Sequence, residues 1–458
     1  MLIGAQFNQN LFATGLIGAH GQTIPVTQPT PESMVDLRAR LTALQPQFVR
    51  IFFDPKQDAG PPSSRDSFVQ TMQLAQQVGA TINLTVQSVG SWVDDPDGAM
   101  KELAVILGDL VHTHHITNLR WLTLQNEPNT AGLLRINPPI LNAMYRSLDK
   151  LLIAAGLRGR IRFMAGDLIA GAPLDPGNPS LDLPLSMNKL DADWRPFTNQ
   201  AYWLHWMEHN MADIVDAYSV HIYWNATSDV PPHPLKFLSR LRSVGLTGKP
   251  FYVTEYGVRG DAAAGFDEPG TLDKKAVSTT NVAAFQHAWF LITAANLRCA
   301  GTIKWDAYHG TYDNSPQAYF ALGKAGKKKW PVAPTYYLLW LFANTTEAGW
   351  TPAAVSGIEP PWAALCEFRG PTGGLTVVGL DKRWAANDKP SKSKSTYSIP
   401  TGLPKGTELN LLVWNRDGGG HVVQEPPVTV DARATATVSV AQHAVFALTT
   451  KQPPPLPA

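Results

Sequence analysis

Two glutamates stand where short apolar runs stop. Leu122-Thr123-Leu124-Gln125 leads into Asn126-Glu127-Pro128, and Phe251-Tyr252-Val253-Thr254 leads into Glu255-Tyr256. Each run has the length and composition of a buried strand. Pro128 cannot extend a strand ladder, because it lacks an N–H and its φ is fixed. Glu127 is thereby placed at a strand's C-terminal tip, where a carboxylate is costly unless solvated, paired or used. Other apolar runs deliver Arg50 (within Phe48–Phe53), His221 and Tyr223 (at the end of Asp216–Tyr223) and Trp305 (closing Thr302–Trp305). Two carboxylates suit proton transfer and nucleophilic attack. A guanidinium and a phenol can hold one of them charged, and an indole offers a flat platform to an apolar-faced ligand.

The elements that must position these residues alternate. Strands are predicted at Ile3–Phe7, Phe48–Phe53, Thr81–Val86, Leu122–Gln125, Ile161–Ala165, Asp216–Tyr223, Phe251–Glu255 and Thr302–Trp305. Helical spacing fills the intervals: Met34, Leu37, Leu41 and Leu44 behind a Thr30-Pro31-Glu32 start; Phe68, Met72 and Ala75 ending at Gly79; Met100–Val111; a helix opened by Asn137-Pro138; Ala201–Met211; Leu235–Val244; Val277–Leu297; Thr335–Phe342. Eight strand–helix pairs in residues 1–345 predict an α/β fold, a closed (β/α)8 barrel. A doubly wound sheet would carry a Gly-rich phosphate turn after its first strand, and Asn8-Gln9-Asn10 is no such turn. In a barrel the tips listed above share one mouth.

Beyond Trp350 the helical period disappears. Ala363–Phe368, Leu375–Leu380, Leu409–Val413, Ala434–Val440 and Ala444–Leu448 are β-rich, separated by Pro371-Thr372-Gly373-Gly374 and Asp417-Gly418-Gly419-Gly420. Residues 346–451 therefore read as a small antiparallel β-sandwich, and 452–458 as a disordered proline-rich tail. The length of 458 residues accommodates two domains. A net charge of +1, from 38 basic and 37 acidic side chains, argues against nucleic acid or an anionic membrane as partner. No apolar run is long enough for a transmembrane helix. Two cysteines, Cys299 and Cys366, make no disulfide framework and read as buried thiols. The N-terminus opens directly on a strand, which suits a cytoplasmic protein and a mature secreted one equally.

With these residues at these tips, the chain resembles the clan A retaining glycoside hydrolases. The resemblance rests on Asn-Glu-Pro ending strand four, Glu255 on strand seven, Arg50 on strand two, His221-x-Tyr223 on strand six and Trp305 on strand eight. It covers residues 1–345, and the trailing sandwich is similar to the accessory domain of families 39, 30 and 51, with family 39 the favoured subdivision. It implies Glu127 as general acid/base and Glu255 as nucleophile. It further implies Asn126 on the sugar 2-hydroxyl, Arg50 and Tyr223 keeping Glu255 ionised, His221 lining the pocket or bonding Glu127, and Trp305 under the sugar ring. A carbohydrate substrate and no cofactor or metal follow. The clan's histidine at the end of strand three is missing; Val86-Gln87-Ser88 stands there, with Trp92 nearby. The rival readings are a carbohydrate-binding barrel without catalysis and a metal-dependent barrel hydrolase. His112-Thr113-His114-His115 precedes strand four and so belongs to the face opposite the mouth. Trp92, Trp224, Tyr256 and Tyr308 read as packing. Loops 168–200 and 306–333 are expected to overhang the mouth and to favour a pocket or short cleft.

Overall fold

In the computed structural model, the residues described are 1–17, 23–25, 29–54, 64–87, 92, 94–129, 136–169, 200–225, 238–239, 241, 248–259, 280–308, 330, 332–355, 362–384 and 392–455. Eight parallel strands close a barrel: β1 (Leu2–Phe7), β2 (Phe48–Phe53), β3 (Thr81–Val86), β4 (Leu119–Thr123), β5 (Arg162–Leu168), β6 (Ala217–Asn225), β7 (Phe251–Arg259) and β8 (Gly301–Lys304). Outside it lie α1 (Pro31–Leu44), α2 (Ser64–Gln77), α3 (Pro96–His112), α4 (Pro138–Ala154), α5 (Gln200–Met211), α6 (Asn281–Asn296) and α7 (Pro334–Thr345). The predicted starts hold in detail. Thr30 Oγ1 accepts from Ser33 N at 3.2 Å and Asn137 Oδ1 from Ile140 N at 2.9 Å, each with proline in the first turn. A short hairpin, Gly15–Ile17 with Thr23–Pro25, was not foreseen. The helix expected at Leu235–Val244 and the two long loops lie mostly outside the described residues.

The barrel interior is stratified. At the N-terminal end, Phe48, Trp121, Met164, Ala217, Tyr252 and Ile303 form an apolar plug. Above it the strands turn inward Gln6, Arg50, Asn83, Thr85, Asp167, Ser219 and Thr254, all buried. A plug below and a polar layer above leave water one approach, from the C-terminal mouth.

Two bulges break the alternation of strands in the polar layer. β5 pairs Ala165 with Tyr218 but Leu168 with Val220, so three residues of β5 advance against two of β6. β7 carries Thr254 and Glu255 where β8 has only Ile303, and Thr254 is the extra residue where β6 passes directly from Val220 to His221. A bulge adds a residue without a ladder partner and turns the following side chains to the other face. Glu255 shares the parity of Val253, which packs on the outside; the bulge brings it in. Asp167 is turned inward in the same way. At the β5 bulge Gly166 has φ +142, and a Cβ there would lie 2.1 Å from the Ser219 carbonyl oxygen. Only glycine fits that approach.

The C-terminal strands are β9 (Thr351–Ala353), β10 (Ala363–Arg369), β11 (Leu375–Asp381), β12 (Lys394–Pro400), β13 (Glu408–Asn415), β14 (His421–Thr429), β15 (Thr435–Ala441) and β16 (Ala444–Thr449). Six form an antiparallel sheet in the order β9-β10-β11-β16-β13-β14, and β12 pairs with β15. One face of the six-stranded sheet packs on β12 and β15 through Leu365, Val377, Leu411, Phe446, Tyr397, Ile399 and Val438. Its other face, with Cys366, Phe368, Val378, Leu412, Trp414 and Val445, joins the main core of the barrel helices. Both cysteines are buried and free. The tail is placed as far as Pro455, with Pro453 buried, where the sequence predicts disorder; 456–458 lie outside the described residues.

Gly166→Ala is expected to destabilise the protein by about 3 kcal/mol, combining overpacking with backbone strain. Thermal or urea unfolding of the variant against the native chain measures this.

Candidate active site

Arg50, fully buried, is the centre of the cluster. It rises from β2 between Phe48 and Phe52 and spends its donors on five side chains. Nε donates to Thr85 Oγ1 at 2.9 Å, Nη1 to Gln6 Oε1 at 3.3 Å and to Glu255 Oε1, and Nη2 to Asn126 Oδ1 at 2.7 Å and Asp167 Oδ2 at 2.6 Å. Glu255, on β7, also accepts on Oε2 from the Tyr223 hydroxyl of β6 at 2.5 Å. Arg50 and Tyr223 thus supply the donors that keep a carboxylate ionised.

Glu127 arrives differently from what its run predicts. β4 ends at Thr123, four residues earlier. The chain continues to the mouth by hooking onto its neighbours: Asn126 N donates to Val86 O at 2.8 Å and Glu127 N to Asp167 O at 3.1 Å. Glu127 sits at φ 48, a left-handed conformation uncommon for glutamate. Such backbone is retained where surrounding contacts over-determine it. Its Oε1 lies 2.9 Å from His221 Nδ1, and His221 Nδ1 lies 3.6 Å from Glu255 Oε2. A carboxylate oxygen of Glu127 and one of Glu255 approach within 4.8 Å. The Glu127 side chain is 21 % exposed and that of Glu255 6 %, so one faces the mouth and the other the interior.

His221 is wholly buried among carboxylates. Burial opposes its charge, but Glu255, Asp167 and Glu127 outweigh burial and push it up to about 9. These neighbours favour its imidazolium form.

Six of the seven residues expected from sequence, Asn126, Glu127, Arg50, His221, Tyr223 and Glu255, meet in one network. Trp305 stands beside it. Its indole is partly exposed and tilts against Phe52 at 5.8 Å, and Arg50 lies 4.4 Å above the same Phe52 ring. Lys304 points the other way, out toward His287 on α6, and its Nζ donates to the Trp305 carbonyl. Trp92, Trp224, Tyr256 and Tyr308 are buried packing residues, as predicted.

Asp167 was missed by sequence. Its Oδ2 accepts from Arg50 and from Thr85 Oγ1 at 3.1 Å; its Oδ1 accepts from Ser219 Oγ at 2.8 Å and Thr254 Oγ1 at 2.5 Å and lies 3.7 Å from His221 Nε2. Burial works against its charge, yet Arg50, His221 and the Thr254 hydroxyl hold its carboxyl well below the usual range. Phe52 was missed as well. The available signal for both was position: each lies on a predicted strand or within two residues of its end.

Glu127, His221 and Glu255 are also metal-ligating types. Their chemistry does not suit a cation. Both Glu255 oxygens accept from donors, and Arg50 places a positive charge in contact. His114 of the His-rich segment pairs with Asp109 at 3.3 Å on the opposite side of the barrel.

Solved structures share this fold. The catalytic domain of a family GH30 xylanase C from Talaromyces cellulolyticus superposes with a TM-score of 0.64 at 10% identity, over 98% of this chain and 96% of that one. A GH51 arabinofuranosidase from Xanthomonas axonopodis pv. citri gives 0.63 at 11%, over 98% and 96%. A GH44 xyloglucanase from Paenibacillus polymyxa gives 0.54 at 10%, over 98% and 99%. These neighbours are glycoside hydrolases of the clan that the sequence resembles, and each similarity spans barrel and sheet together. No protein-family model matches the chain, and no curated protein matches it in sequence. The family 39 subdivision finds no support among these neighbours, which belong to families 30, 51 and 44.

Because the folded protein raises His221 from 6.5 to about 9, its protonation stabilises the fold fully below pH 6.5, and that contribution is lost as pH rises through 9. Unfolding free energy is expected to fall by up to about 3 kcal/mol across this window. Denaturant titrations of native protein and His221→Gln at pH 6 and pH 9 measure it, the variant showing the smaller drop.

Proposed function

We propose that this chain is a retaining glycoside hydrolase, acting on O-glycosidic bonds by double displacement. The observation that carries the reading is the approach of Glu127 and Glu255 to within 4.8 Å between carboxylate oxygens. Inverting enzymes separate their carboxyls by roughly 6.5–9.5 Å to admit a water, and retaining enzymes hold them about 5–5.5 Å apart.

Glu255 is the nucleophile. It is buried and held by Arg50 and Tyr223 as donors, so it is aimed before substrate arrives. Glu127, more exposed and at the mouth, protonates the leaving oxygen. Glu255 then bonds to the anomeric carbon as the glycosidic C–O bond breaks. In the second half Glu127 takes a proton from water, and the water oxygen displaces Glu255. The His221 imidazolium faces Glu127 and stabilises the carboxylate formed when its proton leaves. Asn126, fixed by Arg50, is placed for the sugar 2-hydroxyl, and Trp305 with Phe52 supplies the apolar wall on which a sugar ring rests. The named activities of the neighbours are a xylanase, an arabinofuranosidase and a xyloglucanase, which supports a carbohydrate substrate.

A panel of aryl glycosides supplies the test. Glu255→Ala is expected to abolish release of the aryl group, and added azide is expected to yield no product of retained configuration. Glu127→Ala is expected to keep slow turnover only on substrates with good leaving groups, which need no acid. The first-formed sugar anomer, read by NMR, should match the substrate. Full activity in Glu255→Ala sinks the assignment.

A further inference from the structure

Asp167 lies under the two carboxylates but touches neither, and the chemistry just described gives it no step. Its surroundings are nevertheless those of a built site. The carboxylate is fully buried and receives Arg50 from β2, Thr85 from β3, Ser219 from β6 and Thr254 from β7, with His221 Nε2 at 3.7 Å. A bulge and a glycine at φ +142 bring it there, and its own backbone sits at φ 52. Its other titratable neighbour is Tyr145 on α4, whose hydroxyl donates to Met164 O at 2.8 Å.

We propose that Asp167 is a positioning residue that holds both cations of the site, Arg50 and His221, beneath the carboxylates Glu255 and Glu127, and is the fixed anion around which negative charge passes between them. The inference rests on the retaining reading above. Its basis is a count of charges in a buried space. In the form the retaining reading requires, Glu127 holds the proton it will give and Glu255 is an anion; Arg50 and a charged His221, which Glu255 and Asp167 favour, carry two positive charges, and Asp167 supplies the second negative one. In the first half-reaction Glu255 gives its electron pair to the anomeric carbon and becomes a neutral ester, while Glu127 loses its proton to the leaving oxygen and becomes an anion. The sum is zero before and after. Without Asp167 the same cluster carries an excess positive charge in both states, and a buried group relieves such an excess by changing protonation. Of the two cations, His221 is the one able to do so, since Arg50 cannot.

The geometry explains why one carboxylate serves both cations. Arg50 Nη2 takes Asp167 Oδ2, leaving Nη1 for Glu255 Oε1. Oδ1 faces His221 Nε2, leaving Nδ1 for Glu127 Oε1. Each cation therefore bridges Asp167 to one of the two reacting carboxylates.

Asp167→Asn keeps the size and tolerates the left-handed backbone. The titration of His221, followed by NMR of its imidazole in native and variant protein, reads the charge directly. Native His221 is expected to stay charged past pH 8, and Asp167→Asn to lower its midpoint by at least one unit, about tenfold in proton affinity. On the aryl glycoside cleaved best by native protein, kcat is expected to fall about 100-fold or more, with KM within about threefold. Thr254→Val removes a hydroxyl from Asp167 but leaves its charge; it is expected to shift the His221 midpoint by less than about half a unit. A His221 neutral at pH 7 in the native protein, an unshifted midpoint in Asp167→Asn, or equal shifts in the two variants overturns the proposal. Turnover lost in Glu255→Ala but kept in Asp167→Asn refutes this role and leaves the retaining reading intact. A native protein inactive on every glycoside refutes that reading, while the His221 titration still decides for Asp167.

Discussion

A guanidinium out of reach of water governs this barrel. Arg50 enters the interior on the second strand, directly above an apolar plug, and a charge in that position is tolerable only with partners on every side. The interior supplies them from five directions: Gln6, Thr85, Asn126, Asp167 and Glu255. The two bulges, the left-handed Glu127 and Asp167, and the hook of β4 onto Val86 and Asp167 are the distortions by which strands meet that demand. These distortions cluster around Arg50; a further register shift, between Ile82 and Asn83 opposite Leu119 and Trp121, lies at the plug.

That concentration has a chemical benefit. Groups fixed by mutual hydrogen bonds in a site with one opening need no rearrangement as charge moves, and interactions there are weakly screened. Glu255 accepts from rigid donors on two strands, whereas Glu127 hangs from a segment past its strand. On the retaining reading proposed above, the carboxylate held by donors from two strands is the one that bonds to carbon, and the one carried past its strand passes a proton.

The fold was legible because α/β alternation writes itself in periodicity: all eight barrel strands were located and the helix starts at Thr30 and Asn137 were read to the residue, while bounds shifted elsewhere, the fourth strand running Leu119–Thr123 rather than Leu122–Gln125 and α3 starting at Pro96 rather than Met100. The site was legible where side-chain type alone suffices, as with Arg50, Glu127, His221, Tyr223 and Glu255. It failed at Asp167, because Ile161–Ala165 looks like a complete strand and nothing local announces that a bulge carries the pairing to Leu168. For the same reason Glu255 was read as closing its strand, although pairing continues to Arg259. In the second sheet, β14 was lost to Pro426 and Pro427, which argue against a strand interior; it is an edge strand, where an N–H need not be donated inward. β12, with alternate residues exposed, was hidden behind a run of Lys and Ser.

The packing of the six-stranded sheet bears on how such a protein could be taken apart. Every residue of α7 from Thr335 to Thr345 is buried, and α6 is apolar nearly all round, because each helix has the barrel on one side and the sheet on the other. A chain cut after residue 345 would carry two greasy helices with half their cover removed. Recombination, in the laboratory or over generations, therefore has no clean seam at that point. The barrel and its sheet travel as one heritable block, and a shuffled partner would have to bring replacement surface for both helices.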